Sequence, residues 1–211
     1  MGKNRETMVF SLYTIPKYRQ AEPVSVVRLQ IPGNLFLKWV GYNFTAMPIL
    51  DSHTFEFFSK SPEQTRRLGM HLGALLQPGD LICLQGDLGA GKTTFVQGVA
   101  RGWGAQDEVS SPTFVLVNAY RRADGAQLSH FDAYRVESLG EAEELDLDAL
   151  LTAGPLFVEW PERVEPILPA ERLWAFLEYE SEEHRALRFT AHGQRYETLL
   201  DRLQQTVYGA D

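Results

Sequence analysis

From Thr54 onward the chain switches repeatedly between two hydrophobic periods, and the switches mark out its elements. "TFEFFS" (54–59) reads as a strand rich in aromatic residues. Ser61-Pro62-Glu63-Gln64 predicts a helix start, with Ser61 as N-cap, Pro62 in the first turn and Gln64 completing a capping box. Leu68, Leu72, Leu75 and Leu76 give that helix an apolar face, Gly69 and Gly73 permit close packing, and Pro78-Gly79 ends it. "DLICLQ" (80–85) is a short apolar strand that runs through a glycine-rich loop into a helix carrying Phe95, Val96 and Val99. "FVLVNAY" (114–120) and "QLSHFDAY" (127–134) flank Ala123-Asp124-Gly125, which predicts a β-hairpin.

The acidic stretch from Glu137 to Leu151 reads as helix, and "PLFVEW" (155–160) as a buried strand. "RLWAFLEYE" and "HRALRFTAH" predict a second strand pair, and Tyr196 to Val207 a terminal amphipathic helix with Leu199, Leu200 and Leu203 on one face. Strands alternating with helices argue for an α/β fold, and the two hairpins argue that its central sheet is mixed. Residues 1–50 show no clear period, because Pro16, Pro23, Pro32, Gly33, Gly41 and Pro48 interrupt every candidate element. The expected organisation is a poorly ordered or atypical N-terminal extension over 1–50 and one domain over 51–211.

Composition adds limits. With 211 residues, 44% of them hydrophobic, the chain can bury one full core. No uncharged apolar run approaches the roughly 18 residues of a membrane helix. Val9–Ile15 is followed by Lys17 and Arg19 with no small-residue cleavage site, so no signal peptide is read. The single cysteine, Cys83, lies in an apolar run and reads as a buried, inert thiol. A reducing cytoplasm is the expected location. The net charge of −8 is uneven: residues 1–50 hold six basic and two acidic side chains, net +4, leaving −12 on the rest. An acidic body binds nucleic acid poorly by itself, since phosphate contacts supply most non-specific affinity.

The loop Gly86-Asp87-Leu88-Gly89-Ala90-Gly91-Lys92-Thr93 matches G-x-x-x-x-G-K-[ST] at every fixed position, with a strand before it and a helix after. Chance would bring the four fixed residues together in on the order of 1% of chains this long. Backbone N–H groups surround a triphosphate only where few side chains intrude, hence Gly89 and Gly91. The new helix adds its positive end, Lys92 reaches the β- and γ-phosphates, and Thr93 offers a hydroxyl to Mg²⁺. The nucleotide-binding stretch is thus read as Asp87 to Thr94. The Asn-Lys-x-Asp motif that reads guanine, the DxxG of GTPase switches and the LSGGQ of transporter ATPases are absent from the sequence, so ATP is the expected nucleotide.

Mg²⁺ needs hard oxygen ligands, and a P-loop protein usually supplies one carboxylate at the end of a neighbouring strand. Glu159 ends "LFVE" and Asp132 lies in "HFDAYR". Glu159 is the candidate metal ligand, directly or through water, and Asp132 the candidate for orienting the attacking water or a second metal contact. The alternative for each is a strand-end carboxylate that caps a loop. Ser111 and Thr113, in "SSPTF", stand where a γ-phosphate-sensing loop would, or form a plain Ser/Pro turn. His130 reads as a strand residue, with a base as the alternative. Arg135 approaches phosphate or pairs at the surface. Trp160 packs, or walls the nucleotide or a partner.

Taken in order, "GDLGAGKTTF", "SPTF", "HFDAYR", "EELDLDALL" and "VEWPER" resemble the bacterial TsaE (YjeE) family over roughly residues 52–195. The resemblance implies a P-loop α/β domain that binds ATP and Mg²⁺ and hydrolyses ATP slowly alone. It implies partner subunits TsaB and TsaD, which install threonylcarbamoyl on adenosine 37 of tRNAs reading ANN codons. Such a protein is a turnover or assembly switch, not the transferase, and meets tRNA only through the complex. Leu88 to Thr93 match the family's phosphate loop, Thr93 and Glu159 its Mg²⁺ ligands, Asp132 a required acidic position, and Trp160 a family tryptophan. Residues 1–46 depart from the pattern, and Met47 lies where a family member would start. The competing function is a small-molecule kinase, for which Arg121, Arg122 and Arg135 would have to serve as a phosphate lid.

Overall fold

The computed structural model describes residues 12–14, 25–28 and 38–39 as backbone, and residues 53–109 and 116–209 with their side chains. The chain divides into two compact units, Met1–Asp51 and Ser52–Asp211. In the first, β1 (Leu12–Thr14), β2 (Ser25–Arg28) and β3 (Lys38–Trp39) form an antiparallel sheet in that order. Strands of two to four residues are too short to show an alternation, which is why the sequence shows no period there. The expectation of poor order over the rest of that segment falls, like Met47, outside the described residues.

The second unit begins with β4 (Thr54–Ser59), α1 (Pro62–Gly73), β5 (Leu81–Gln85) and α2 (Lys92–Trp103). Then come β6 (Val117–Arg121), β7 (Gln127–Asp132), α3 (Leu139–Glu143), α4 (Leu147–Ala153) and β8 (Leu156–Glu159). It ends with β9 (Arg172–Tyr179), β10 (Arg185–His192) and α5 (Gln194–Tyr208). Seven strands form one mixed sheet in the order β4-β10-β9-β5-β8-β7-β6. The centre, β9-β5-β8-β7, is parallel, and antiparallel pairings add β10 and β4 on one side and β6 on the other. A P-loop-like α/β architecture with a mixed sheet is what the element pattern predicted.

The central strands lack a polar face because both faces are covered. Ile82, Leu84 and Phe157 join one cluster with α1, α2 and α5, through Leu72, Phe95, Val99 and Leu199. Leu81, Cys83, Leu156 and Val158 join the other, with Ala142 of α3 and the partly buried Leu147, Leu150 and Leu151 of α4. Cys83 is fully buried, and burial pushes its thiol up to about 12, which makes it the inert group expected. At the start of α5 the Tyr196 hydroxyl accepts from Leu81 N–H at 2.7 Å, while Arg195 pairs with buried Asp80 at 2.6 Å.

Several local expectations are corrected. Ser61 does cap α1, accepting from Gln64 N–H at 3.3 Å, but the Gln64 side chain accepts from Lys60 N–H at 2.8 Å, so the reciprocal half of the box is displaced by one residue. The acidic helix is two helices, because Ser138 caps α3 and Asp146 then caps α4 afresh, accepting from Ala149 N–H at 3.0 Å. "QLSHFDAY" stops being a strand at Asp132, whose carboxylate accepts from Tyr134 N–H at 2.9 Å and starts a single 3₁₀ turn, Ala133–Arg135. Of "FVLVNAY", the strand begins at Val117, and residues 114 and 115 are outside the described set.

The contact between α1 and α2 depends on four glycines, of which the sequence reading singled out two. A Cβ on Gly69 or Gly73 would stand 2.4 or 2.1 Å from the carbonyl oxygens of Phe95 and Val99. One on Gly98 or Gly102 would stand 2.0 or 2.1 Å from those of Arg66 and Met70. The obstruction is backbone on both sides, so no rotamer change relieves it. Gly98→Ala, ordinarily a helix-stabilising change, is expected to destabilise this fold by about 2 kcal/mol. Chemical denaturation checks this: the midpoint should fall with an unchanged slope.

Candidate functional site

The sheet's parallel core brings the C-terminal ends of β5, β8 and β7 to one edge. Register places Glu159 opposite Leu84 on one side and opposite Asp132 on the other. Past Gln85 the chain leaves β5 through Gly86-Asp87-Leu88-Gly89-Ala90-Gly91. The turn closes with Ala90 N–H donating to Asp87 O at 3.1 Å, and Gly89 (φ 82°) and Gly91 (φ 98°) take the left-handed conformation that side chains resist. Gly91 is the N-cap of α2 and makes no side-chain cap. The first N–H groups of the helix therefore lack an internal partner and suit an anion.

Lys92 heads that helix but is only 6% exposed. Its ammonium donates to Gly86 O at 2.7 Å and Asp87 O at 3.1 Å, lies 4.5 Å from the centre of the Trp160 ring, and stands 4.0 Å from Glu159 Oε2. Burial holds its pKa below the usual lysine range, against the opposing pull of Glu159, Asp132, Glu162 and Asp87. Glu159 is equally buried, and its Oε1 lies 3.0 Å from Nε2 of fully buried His130. His130 is thus both a strand residue and the immediate partner of the candidate metal ligand.

Trp160 is the sole non-glycine residue with positive φ (56°) among the described residues. An L-residue in the left-handed region costs about 1–2 kcal/mol. The turn swings the indole over Lys92 and against Tyr134, with ring centroids 5.1 Å apart, while Trp160 N–H still donates to Leu84 O at 3.2 Å. Packing and walling the site are here one arrangement.

Leu88, Gly89, Gly91, Lys92, Thr93, Thr94, Asp132, Tyr134, Glu159 and Trp160 line a cavity of about 430 Å³. Asp87 is exposed and Ala90 buried, and both belong to the loop without lining the cavity. Leu88 is almost wholly exposed at the loop's tip. Arg135 is exposed and is not brought into the cavity. Ser111 and Thr113 lie outside the described residues. Of the arginines considered for a lid, Arg121 is paired with Asp107 at 3.1 Å and Arg122 with Asp124 at 2.6 Å. One neighbour of the loop was missed: Arg185 of β10 donates to Gly89 O at 3.3 Å, and nothing in the sequence joins these distant positions. A second cleft, of about 400 Å³ over Phe57, Gln64 and Arg67, shares no residue with this one and lacks both the loop and the carboxylates.

Among the described residues no group of three or more His, Cys, Asp and Glu converges as a metal cage. The oxygens at hand are the Thr93 hydroxyl, Glu159 and Asp132, an open set. That is the donor chemistry Mg²⁺ accepts when phosphate oxygens and waters complete its shell. No described helix is long and apolar enough to cross a membrane.

A family model described as "Threonylcarbamoyl adenosine biosynthesis protein TsaE" matches residues 59–187. The tRNA threonylcarbamoyladenosine biosynthesis protein TsaE of Bacillus subtilis is 42% identical over 147 residues, covering 69% of this chain and 90% of that protein. The protein of the same name from Streptomyces coelicolor is 40% identical over 139 residues, covering 63% and 94%. Among solved structures, Bacillus subtilis YdiB superposes with a TM-score of 0.61 at 34% identity, covering 73% of this chain and 96% of that one. On fold, family model and relatives together, the chain belongs to the TsaE family.

Proposed function

We propose that this chain binds ATP with Mg²⁺, hydrolyses it slowly, and thereby serves as a turnover or assembly switch for TsaB and TsaD in threonylcarbamoyl modification of adenosine 37. The observation that carries the reading is the convergence of Lys92, Thr93, Asp132 and Glu159 on one cavity at the N-terminus of α2. Loop N–H groups bind the phosphates, and Lys92 exchanges the carbonyls of Gly86 and Asp87 for phosphate oxygens. Thr93 and Glu159 hold the metal. When bound, Mg²⁺ neutralises charge on the transferred phosphoryl group. Asp132, with one oxygen committed to Tyr134 N–H, orients water with the other. Trp160 and Tyr134 wall the site from solvent.

The net −12 of residues 51–211 supports contact with tRNA through the partner subunits rather than directly. The test is inorganic phosphate release from ATP by the purified protein, with Mg²⁺ and with chelator, followed by tRNA modification in a mixture reconstituted with TsaB and TsaD. Mg²⁺-dependent release and a requirement for the chain in modification are expected. Phosphoryl transfer to a metabolite without release would establish the kinase instead.

A further inference from the structure

We propose that His130 is a positioning residue that fixes the orientation of Glu159, so that one carboxylate oxygen is occupied within the fold and the other is presented to the metal. The inference rests on the ATPase reading above and assigns a residue that works through another. Parallel pairing of β7 with β8 sets His130 beside Phe157, and Glu159 follows two residues later on the same face of the sheet. The side chains meet there at 3.0 Å between Nε2 and Oε1, with His130 fully buried. As a carboxylate Glu159 only accepts, and the Nε2–H tautomer of His130 is then the donor of this bond. Nδ1 is buried and has no hydrogen-bond partner among the described residues. Among the described residues the contact with Glu159 is therefore the ring's one hydrogen bond, and it ties the imidazole to the carboxylate rather than to the backbone.

The consequence falls on Glu159. Its side chain is nearly buried and ends at the cavity wall. With Oε1 taken by His130, the carboxylate cannot turn freely, and Oε2 is the oxygen directed toward Lys92, 4.0 Å away. A ligating carboxylate held by an outer hydrogen bond loses about 10- to 100-fold in metal affinity when that bond is removed. The Tyr120 ring lies near the imidazole, with centroids 6.4 Å apart.

The test measures Mn²⁺ binding to the protein–ADP complex by electron paramagnetic resonance, beside ADP affinity without metal and the melting of the free protein. His130→Phe keeps the ring's bulk and removes the donor. It should weaken Mn²⁺ binding about tenfold while metal-free ADP affinity stays unchanged. His130→Gln places an amide N–H near the position of Nε2 and should regain most of the loss. In a Glu159→Ala background, His130→Phe should add nothing. His130→Leu carries the same expectations if the phenylalanine variant does not fold. Unchanged Mn²⁺ affinity in the apolar variants, equal loss in the glutamine variant, or additive loss in the double variant would each overturn the assignment. Wild-type protein that binds no Mn²⁺–ADP would overturn it together with the ATPase reading, whereas normal wild-type binding with insensitive variants would overturn it alone.

Discussion

Replacing Lys92 by alanine is expected to weaken ATP binding about a hundredfold, about 3 kcal/mol, because a buried cation then no longer meets the phosphates. Calorimetric titration reads this directly, and an unchanged affinity would remove Lys92 from the phosphate site. The same residue burdens the empty protein. Burial lowers its pKa from 10.5, so between the lowered value and 10.5 the folded chain binds fewer protons than the unfolded one. Stability attributable to this group therefore rises with pH across that window, and at neutral pH the charged ammonium weighs against folding. Lys92→Met, which keeps the aliphatic stem, should accordingly melt no lower than wild type in the absence of nucleotide while losing ATP affinity. A fold that tolerates the loss of Lys92 but a site that does not is the signature of a group placed for its ligand.

Glu159→Ala should act on a different quantity. Turnover is expected to drop on the order of 100-fold, with its Mg²⁺ dependence blunted, while nucleotide affinity in chelator stays close to wild type. Steady-state phosphate release over a Mg²⁺ series separates the two effects. The same Mg²⁺ dependence in variant and wild type would count against a ligand role. The substitution also strips His130 of its one hydrogen-bond partner among the described residues, leaving a buried imidazole unsatisfied, so some loss of melting temperature accompanies it. Glu159→Gln keeps an acceptor for His130, and should spare stability while still lowering turnover.

What the sequence made legible was whatever is written in contiguous residues. The loop from Gly86 to Thr93 carries its own punctuation, and β5 and β8 read as strands because burial on both faces leaves them unbroken apolar runs. Local hydrogen bonds defeated the reading elsewhere. Asp146 restarts a helix with no glycine or proline between α3 and α4 to announce it, and Asp132 bends the chain out of a strand into a 3₁₀ turn. Features spread across the chain were the least accessible. The contact between His130 and Glu159 depends on the register of a parallel pair, and that of Arg185 with Gly89 on the placing of a hairpin beside a loop. Gly98 and Gly102 look like ordinary helix glycines until the approach of α1 is known.

The register of β7, β8 and β5 also has a bearing on how the protein acquires its chemistry. Side-chain direction alternates along a strand, so a slip of one residue in β8 would turn Glu159 away from α2 and break its alignment with Asp132. No local segment contains the site, and pairing between strands distant in sequence is the slow step of folds built on parallel sheets. Affinity for nucleotide should thus arise late during refolding, when the central strands have locked together. On the ATPase reading proposed above, a nucleotide present at that moment would select the finished chain over every near-native competitor, and so would inspect the fold before any turnover.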